Sequence, residues 1–170
     1  MKAALLLIGA FLFCGGTLCG QSIPVTRAIS LADTTVTLPG DLKGRPAILV
    51  LGFSKNSSQQ TKPWTEAIER DFGSQEKIAF YQLPMLQEVP RLVRSFVLQG
   101  MRKPLNTAQR SHFLPVFDNE EAWKSAVHFA GADDAYVLLV DGSGRIQWQA
   151  SGAFQEEQYD GLRKRAAAVE

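Results

Sequence analysis

The sequence predicts an α/β fold in which helices pack on a mixed central sheet that a C-terminal β-hairpin and helix complete. Three observations carry this prediction. "AILVLGF" (Ala47 to Phe53) is a continuous apolar run of strand length, strand-like and helix-like segments alternate after it, and "AYVLLVDGSGRIQWQ" (Ala135 to Gln149) reads as a hairpin around a turn. The chain has 170 residues, 45% hydrophobic and 21% charged, which suits one core of ordinary size. No repeat, low-complexity run or Pro/Gly/Ser-rich linker divides it.

The first residues read as an address. Met1-Lys2 gives a positive start, Ala3 to Phe13 ("AALLLIGAFLF") is apolar throughout, and "CGGTLCGQ" adds small residues. This predicts a signal peptide over residues 1–20, too short for the ~20 apolar residues of a membrane span, and a single domain over residues 21–170. The expected address is secreted or periplasmic, with no membrane span in the mature chain. Cleavage after Cys19 or Gly20 would remove both cysteines, Cys14 and Cys19. Phe13 and Leu18 precede them, so neither has the small neighbour that a lipidated cysteine requires.

In the domain, Ser22 to Ala32 reads as a loose lead-in. Thr34 to Leu38 ("TTVTL") alternates and is β-branched, predicting an edge strand, and "PGDLKGRP" supplies the turn that ends it. Ala47 to Phe53 is expected at the centre of the sheet, buried on both faces. Trp64, Ala67, Ile68 and Phe72 recur at helical spacing before Gly73. Pro63 would remove a backbone bond from a helix begun at Ser58, so the helix is placed from about Lys62, capped by Thr61, with Ser57 and Gln60 in an exposed loop.

Lys77 to Leu83 is the next strand. Pro90 opens a helix bearing Leu92, Val93, Phe96 and Val97 toward Gly100. Phe113 to Phe117 ("FLPVF") reads as a short edge strand, and Asp118 with Glu121 as a capping pair for a helix through Trp123, Ala126 and Phe129. Ala135 to Val140 and Arg145 to Gln149 flank "DGSG", and Gln155 to Val169 forms a closing helix with Arg163-Lys164-Arg165 near its end.

Several chemistries lack their residues. A formal charge of +1 gives no reason to expect nucleic acid. His112 and His128 have no cysteine partners and no i,i+4 ligand, so no metal and no cofactor is expected, and both are read as surface residues. Ser57 and Ser58 have no G-x-S-x-G elbow around them and no adjacent base. Asp133-Asp134 reads as a turn and Glu156-Glu157 as the first turn of a helix, where negative charge is favoured. Trp64, Trp123 and Trp148 occupy apolar positions, with Trp148 expected to be the most exposed.

The order of these elements, with "LKGRPAILVLGF", "FLPVFD" and "YVLLVDGSGRIQW", resembles the thioredoxin-like superfamily in its TlpA and peroxiredoxin-like form. "AFYQLPMLQ" and the ending "AYVLLVDGSGRIQWQASGAFQEEQYDGL" are most similar to the mitochondrial ATP-synthase assembly chaperones of that superfamily. The resemblance implies a three-layer α/β/α sandwich. It places Ser57-Ser58-Gln59-Gln60 where Cys-x-x-Cys would stand, with Ser57 and Gln60 at the two sulfur positions. A serine hydroxyl there stays protonated and cannot exchange disulfides. The superfamily's cis-proline falls on Ala135, where a trans bond is expected because a non-proline cis bond costs about 2.5–4 kcal/mol.

These readings converge on a non-redox thioredoxin-fold protein, a protein-binding or assembly factor of unidentified protein partner, with no thiol-disulfide oxidoreductase or peroxidase activity. Its expected groove comprises Asn56, Ser57, Gln60, Asp134, Ala135 and Tyr136. Two alternatives stand beside it: an enzyme with non-thiol chemistry in that groove, using Ser57, Gln60 and a neighbouring acid, and a structural domain of an envelope complex.

Overall fold

A computed structural model describes residues 20–73 and 76–169, so the expected signal segment, apart from Gly20, lies outside the described residues with both cysteines. Among the described residues six strands and five α-helices follow in the order β1 (Thr26–Ile29), β2 (Thr35–Leu38), β3 (Gly44–Gly52), α1 (Ser58–Phe72), β4 (Ala79–Pro84), α2 (Arg91–Arg102), α3 (Thr107–His112), α4 (Glu120–Ala126), β5 (Ala135–Gly142), β6 (Ile146–Ser151) and α5 (Glu156–Val169). The central sheet runs β4-β3-β5-β6 and is mixed, because β3 pairs parallel with β4 while the β3–β5 and β5–β6 pairs are antiparallel. β1 and β2 form a separate antiparallel pair.

The apolar run of β3 is explained by burial on both faces, as expected. Ile48 and Val50 face α1 and α5, joining Trp64, Ile68, Val137, Tyr159 and Leu162 in one core cluster. Leu49 and Leu51 face the other way, onto Leu38, Leu83, Trp123 and Leu138. Alternate residues of a strand point to opposite faces, so a strand covered on both must be apolar at every position. Trp64 and Trp123 are fully buried and Trp148 is half-buried. The hairpin turn is tied by Asp141, whose Oδ1 accepts from the Ser143 N–H at 2.9 Å and the Arg145 N–H at 3.1 Å.

Four local expectations need correction. The lead-in contains β1, paired with β2 through Thr26–Leu38 and Ile29–Thr35, because its alternating Thr26 and Ala28 turn inward while Arg27 and Ile29 face out. α1 begins at Ser58 and not near Lys62, with Pro63 its sixth residue. So close to the N-terminus the proline removes a single intrahelical donor, and the first turn is still closed by Gln60 N–H and Thr61 N–H donating to the Ser57 carbonyl at 3.0 and 2.8 Å.

Phe113 to Phe117 forms two isolated parallel bridges in place of a strand, Gln82–Phe113 to β4 and Met85–Val116 just beyond its end. Pro115, between them, has no N–H to extend a ladder. Asn119, with φ of 57°, and not Asp118, precedes α4, and it makes no side-chain cap. α3 was not anticipated, and its signal is a capping box: Asn106 Oδ1 accepts from Gln109 N–H at 2.9 Å, and Gln109 Oε1 accepts from Asn106 N–H at 3.1 Å.

α2 differs from the other long helices because it has no buried residue. Leu92 is 95% exposed and Phe96 77%. Truncating a buried leucine costs about 2–5 kcal/mol, whereas an exposed substitution stays within about 0.5 kcal/mol. Leu49→Ala should therefore lower unfolding free energy by that larger amount in a denaturant titration, and Leu92→Ala should leave it unchanged within error.

Candidate functional site

The register of the sheet brings the two halves of the expected groove, Asn56 to Gln60 and Asp134 to Tyr136, together. Gly52, the last residue of β3, pairs with Ala135, the first of β5. The loop entering α1 therefore lies beside the turn entering β5. A side chain at Gly52 would displace the Ser57 hydroxyl from its bond to Ser54, because an added Cβ would overlap Ser57 Oγ.

Ser54 links the loops. Its Oγ donates to Asp133 Oδ1 at 2.6 Å and accepts the Ser57 N–H at 3.0 Å. Ser57 Oγ in turn donates to the Ser54 carbonyl at 2.7 Å. Asn56 Nδ2 reaches Asp133 Oδ2 at 3.4 Å and Gln60 Nε2 reaches Asp134 Oδ1 at 3.5 Å, both at the long limit for such bonds. Gln60 Oε1 is buried without a protein partner. At the positions that the resemblance assigns to a sulfur pair, the structure has a small polar lattice between two loops.

The expected groove residues separate into two groups. Asn56 is exposed, and Gln60 and Asp134 are half-buried at the junction. Ser57, expected in an exposed loop, is only 3% exposed because its hydroxyl turns inward to Ser54. Ala135 is fully buried, and its carbonyl accepts from Gly152 N–H at 2.8 Å. Its peptide bond is trans, the described cis bond being Leu38–Pro39.

Tyr136 is an anchor rather than a contact surface. Its ring packs edge-on to Phe53 at 5.4 Å and stacks on Phe129 at 5.9 Å. Its hydroxyl accepts from Ala130 and Gly131 N–H at 2.8 and 2.9 Å and can donate to the Gly131 carbonyl at 2.9 Å. The turn bearing Asp133 and Asp134 is thereby held from beneath.

An open concavity adjoins the same loop, with Ser54 and Ser57 among its lining residues. A cavity of about 590 Å³ runs between the loop after β3, the end of β4 and α2, with Phe53, Leu86, Val89, Val97 and Met101 among its walls. These walls are mainly apolar. Glu120 also reaches it, 6% exposed, with its carboxylate 2.9 Å from Lys124 Nζ. Sequence periodicity assigns Val97 to ordinary helix packing, and nothing local marks Glu120 or Ser54.

The histidines do not meet Ser57 in any contact among the described residues, and no group of three His, Cys, Asp or Glu side chains gathers there at metal-binding spacing. His128 is exposed, as expected. His112 is not a surface residue: it is half-buried, with its ring 6.0 Å from that of Phe80 and 6.4 Å from that of Tyr81. Burial holds its pKa below the ordinary value of 6.5, against a smaller opposing pull from Glu69.

Residues 21–168 match the profile of the ATP10 protein family. The chain belongs to the ATP10 protein family. No curated protein sequence matches it. Its fold is that of thioredoxin-like proteins. Against the exposed lipoprotein thioredoxin Etrx1 of Streptococcus pneumoniae the TM-score is 0.59 at 11% identity, covering 83% of this chain and 98% of that one. The thioredoxin domain of a thiol-disulfide oxidoreductase from Bacteroides vulgatus gives 0.57 at 16% identity, covering 89% and 97%. A thioredoxin-family thiol:disulfide interchange protein from Chlorobium tepidum gives 0.55 at 13%, covering 86% and 96%. At these identities the likeness speaks for the fold alone. This ATP10 family member thus has the thioredoxin-like scaffold, with Ser57 and Gln60 at the positions that the resemblance assigns to sulfur.

Two outcomes follow from the site. Removing the acceptor in Asp133→Ala should cost about 1 kcal/mol and accelerate amide hydrogen exchange at Ser57 while exchange in β3 stays unchanged. For His112 the unfolded chain binds its proton first, because the folded pKa is the lower one. Stability should be intact above a pH of about 6.5, fall as acid passes that value, and level off below the folded pKa. His112→Gln should flatten that part of a melt-versus-pH profile.

Proposed function

We propose that this chain is an exported, non-redox assembly factor that holds an apolar segment of a client protein in the cavity between the loop after β3 and α2. The cavity itself carries the reading: about 590 Å³ with mainly apolar walls, beside a loop whose Ser54 and Ser57 hydroxyls are already committed to Asp133 and the loop's own backbone. Clients awaiting their own partners expose apolar surface, and a concave apolar site flanked by a few polar groups is the usual form of a binding pocket.

Membership of the ATP10 family supports the assembly role. The absence of any cysteine after Cys19 supports the non-redox part, and the signal-like residues before Gln21 support export. The groove expected between Asn56 and Ala135 is replaced in this reading by the adjoining cavity, which shares Ser57 with it. Ser57 and Ala135 are buried, so charge placed there would test folding and not binding.

The test compares the tagged chain with a Leu86→Ser/Val89→Ser variant, both recovered from the native source. The wild type should co-purify with a discrete protein. The variant should retain about a tenth of it or less, because two serines replace apolar walls that the client would cover, while still melting in one cooperative transition. Insulin reduction by the wild type should match buffer. Equal capture by both proteins, or insulin turnover above buffer in a preparation free of other thiol proteins, would overturn the proposal.

A further inference from the structure

The large apolar side chains left exposed among the described residues are Val25, Ile29, Leu92, Val93 and Phe96, and three of the five belong to α2. On α2 they form a ridge. Leu92, Phe96 and Gly100 succeed one another at i, i+4 and i+8 and so lie on one face. Leu92 is 95% exposed, Phe96 77% and Val93 44%, and a side chain at Gly100 would meet nothing within 4 Å. Lys103 retains helical dihedrals, with φ −57° and ψ −47°, and continues that face. It lies about 16 Å along the axis from Leu92.

Charge is segregated to the same region. From Val89 to Phe117 the sequence has five basic residues, Arg91, Arg94, Arg102, Lys103 and Arg110, and no Asp or Glu. That is +5 in a chain whose total is +1, which leaves −4 for everything else. Arg102 is ion-paired with Asp33. Arg94 lies over the Phe117 ring and donates to the Val89 carbonyl, and Arg110 donates to the carbonyls of Leu105 and Arg102. Among the described residues no carboxylate pairs with Arg91, Arg94, Lys103 or Arg110. Arg91 and Lys103 are themselves exposed, at the two ends of the ridge.

From this we propose that α2 docks flat on an anionic membrane surface, with Leu92 and Phe96 entering the acyl boundary and Arg91 and Lys103 meeting lipid phosphates. The chemistry favours a bilayer over a protein groove. Aromatic and aliphatic side chains standing out from a convex helix, flanked by cations and free of carboxylates, are the features of a helix lying in the interface plane. Basic residues near an anionic leaflet add attraction that falls away within a Debye length. No described helix is long and apolar enough to cross a membrane, so α2 lies on the surface. The docking face is distinct from the cavity that holds the client, although α2 borders both.

Every described strand and helix begins at or after Thr26, so the chain from Gln21 contains every described element and is the protein to test. Flotation is measured with vesicles of equimolar phosphatidylcholine and phosphatidylglycerol, and with vesicles of pure phosphatidylcholine. The chain should float with the anionic vesicles and bind the neutral ones about tenfold more weakly. Leu92→Ser/Phe96→Ser should lower anionic binding about tenfold or more with the thermal melt unchanged, and Arg91→Gln/Lys103→Gln should do so by a similar factor and remove most of the salt sensitivity. Leu86→Ser/Val89→Ser should float like the wild type, which separates this proposal from client binding. Failure to float with anionic vesicles, or flotation untouched by Leu92→Ser/Phe96→Ser, overturns it. If that double variant instead loses the client while the wild type ignores vesicles, the ridge is a protein-binding surface and the membrane assignment is wrong.

Discussion

β3 is buried on both faces and hydrogen-bonded along both edges, and its pairing with β5 brings Gly52 opposite Ala135. That single register determines where the loop after β3 meets the turn before β5. Slipping it by one residue would turn Leu49 and Leu51 from one core cluster into the other and spoil the packing of both, so the sheet has no alternative close in energy. The crossing of the two loops is therefore a property of the core, independent of what the loops contain. A thioredoxin-like scaffold can lose its sulfur and retain the crossing.

The residues at that crossing make it rigid. Ser54 donates to Asp133 and accepts from Ser57, and Tyr136 holds the turn from below through Phe53, Phe129 and three backbone hydrogen bonds. Hydrogen-bonding groups paired with one another are poor partners for a guest, since a new bond must first break an old one. The unpaired surface lies on the neighbouring side, where α2 stands away from the sheet with no buried residue and leaves a cavity beneath it. α2 thus has two apolar surfaces of different shape, concave toward the loop and convex toward solvent. The proposals for a client and for a membrane follow from that division.

The fold was legible because its signals are local. A continuous apolar run, a turn of "DGSG" and apolar residues at helical spacing report β3, the hairpin and α1 without reference to anything distant. Apart from α3, whose Asn106–Gln109 capping box is local, the elements that the sequence does not reveal depend on contacts across the chain or on the balance of competing terms. β1 looked like a lead-in because its outward Arg27 and Ile29 have no meaning until β2 lies alongside. Pro63 argued against α1 beginning at Ser58 on backbone chemistry that is correct, but one lost bond near a helix N-terminus is a small cost beside the burial of Trp64 and Ile68. In the site, the expected exposed loop gives way to a buried Ser57 and a Gln60 within α1, and these, like the burial of Ala135 and Tyr136 and the role of Ser54, arise only from packing. Leu92 and Phe96 show the converse, because helical spacing predicts an apolar face and cannot say whether anything covers it.

The proposed partner-binding surface is the apolar cavity beside α2 and not the crossing of the two loops. Photo-crosslinking from single positions in the native source tests it most directly, with a photoreactive residue replacing Val89 in one protein and Asn56 in another. The account predicts an adduct with a discrete protein from position 89 and none from position 56. An adduct from position 56 alone would contradict it, because the client would then lie across Ser54 and Asp133, in the groove that these hydrogen bonds are argued to close.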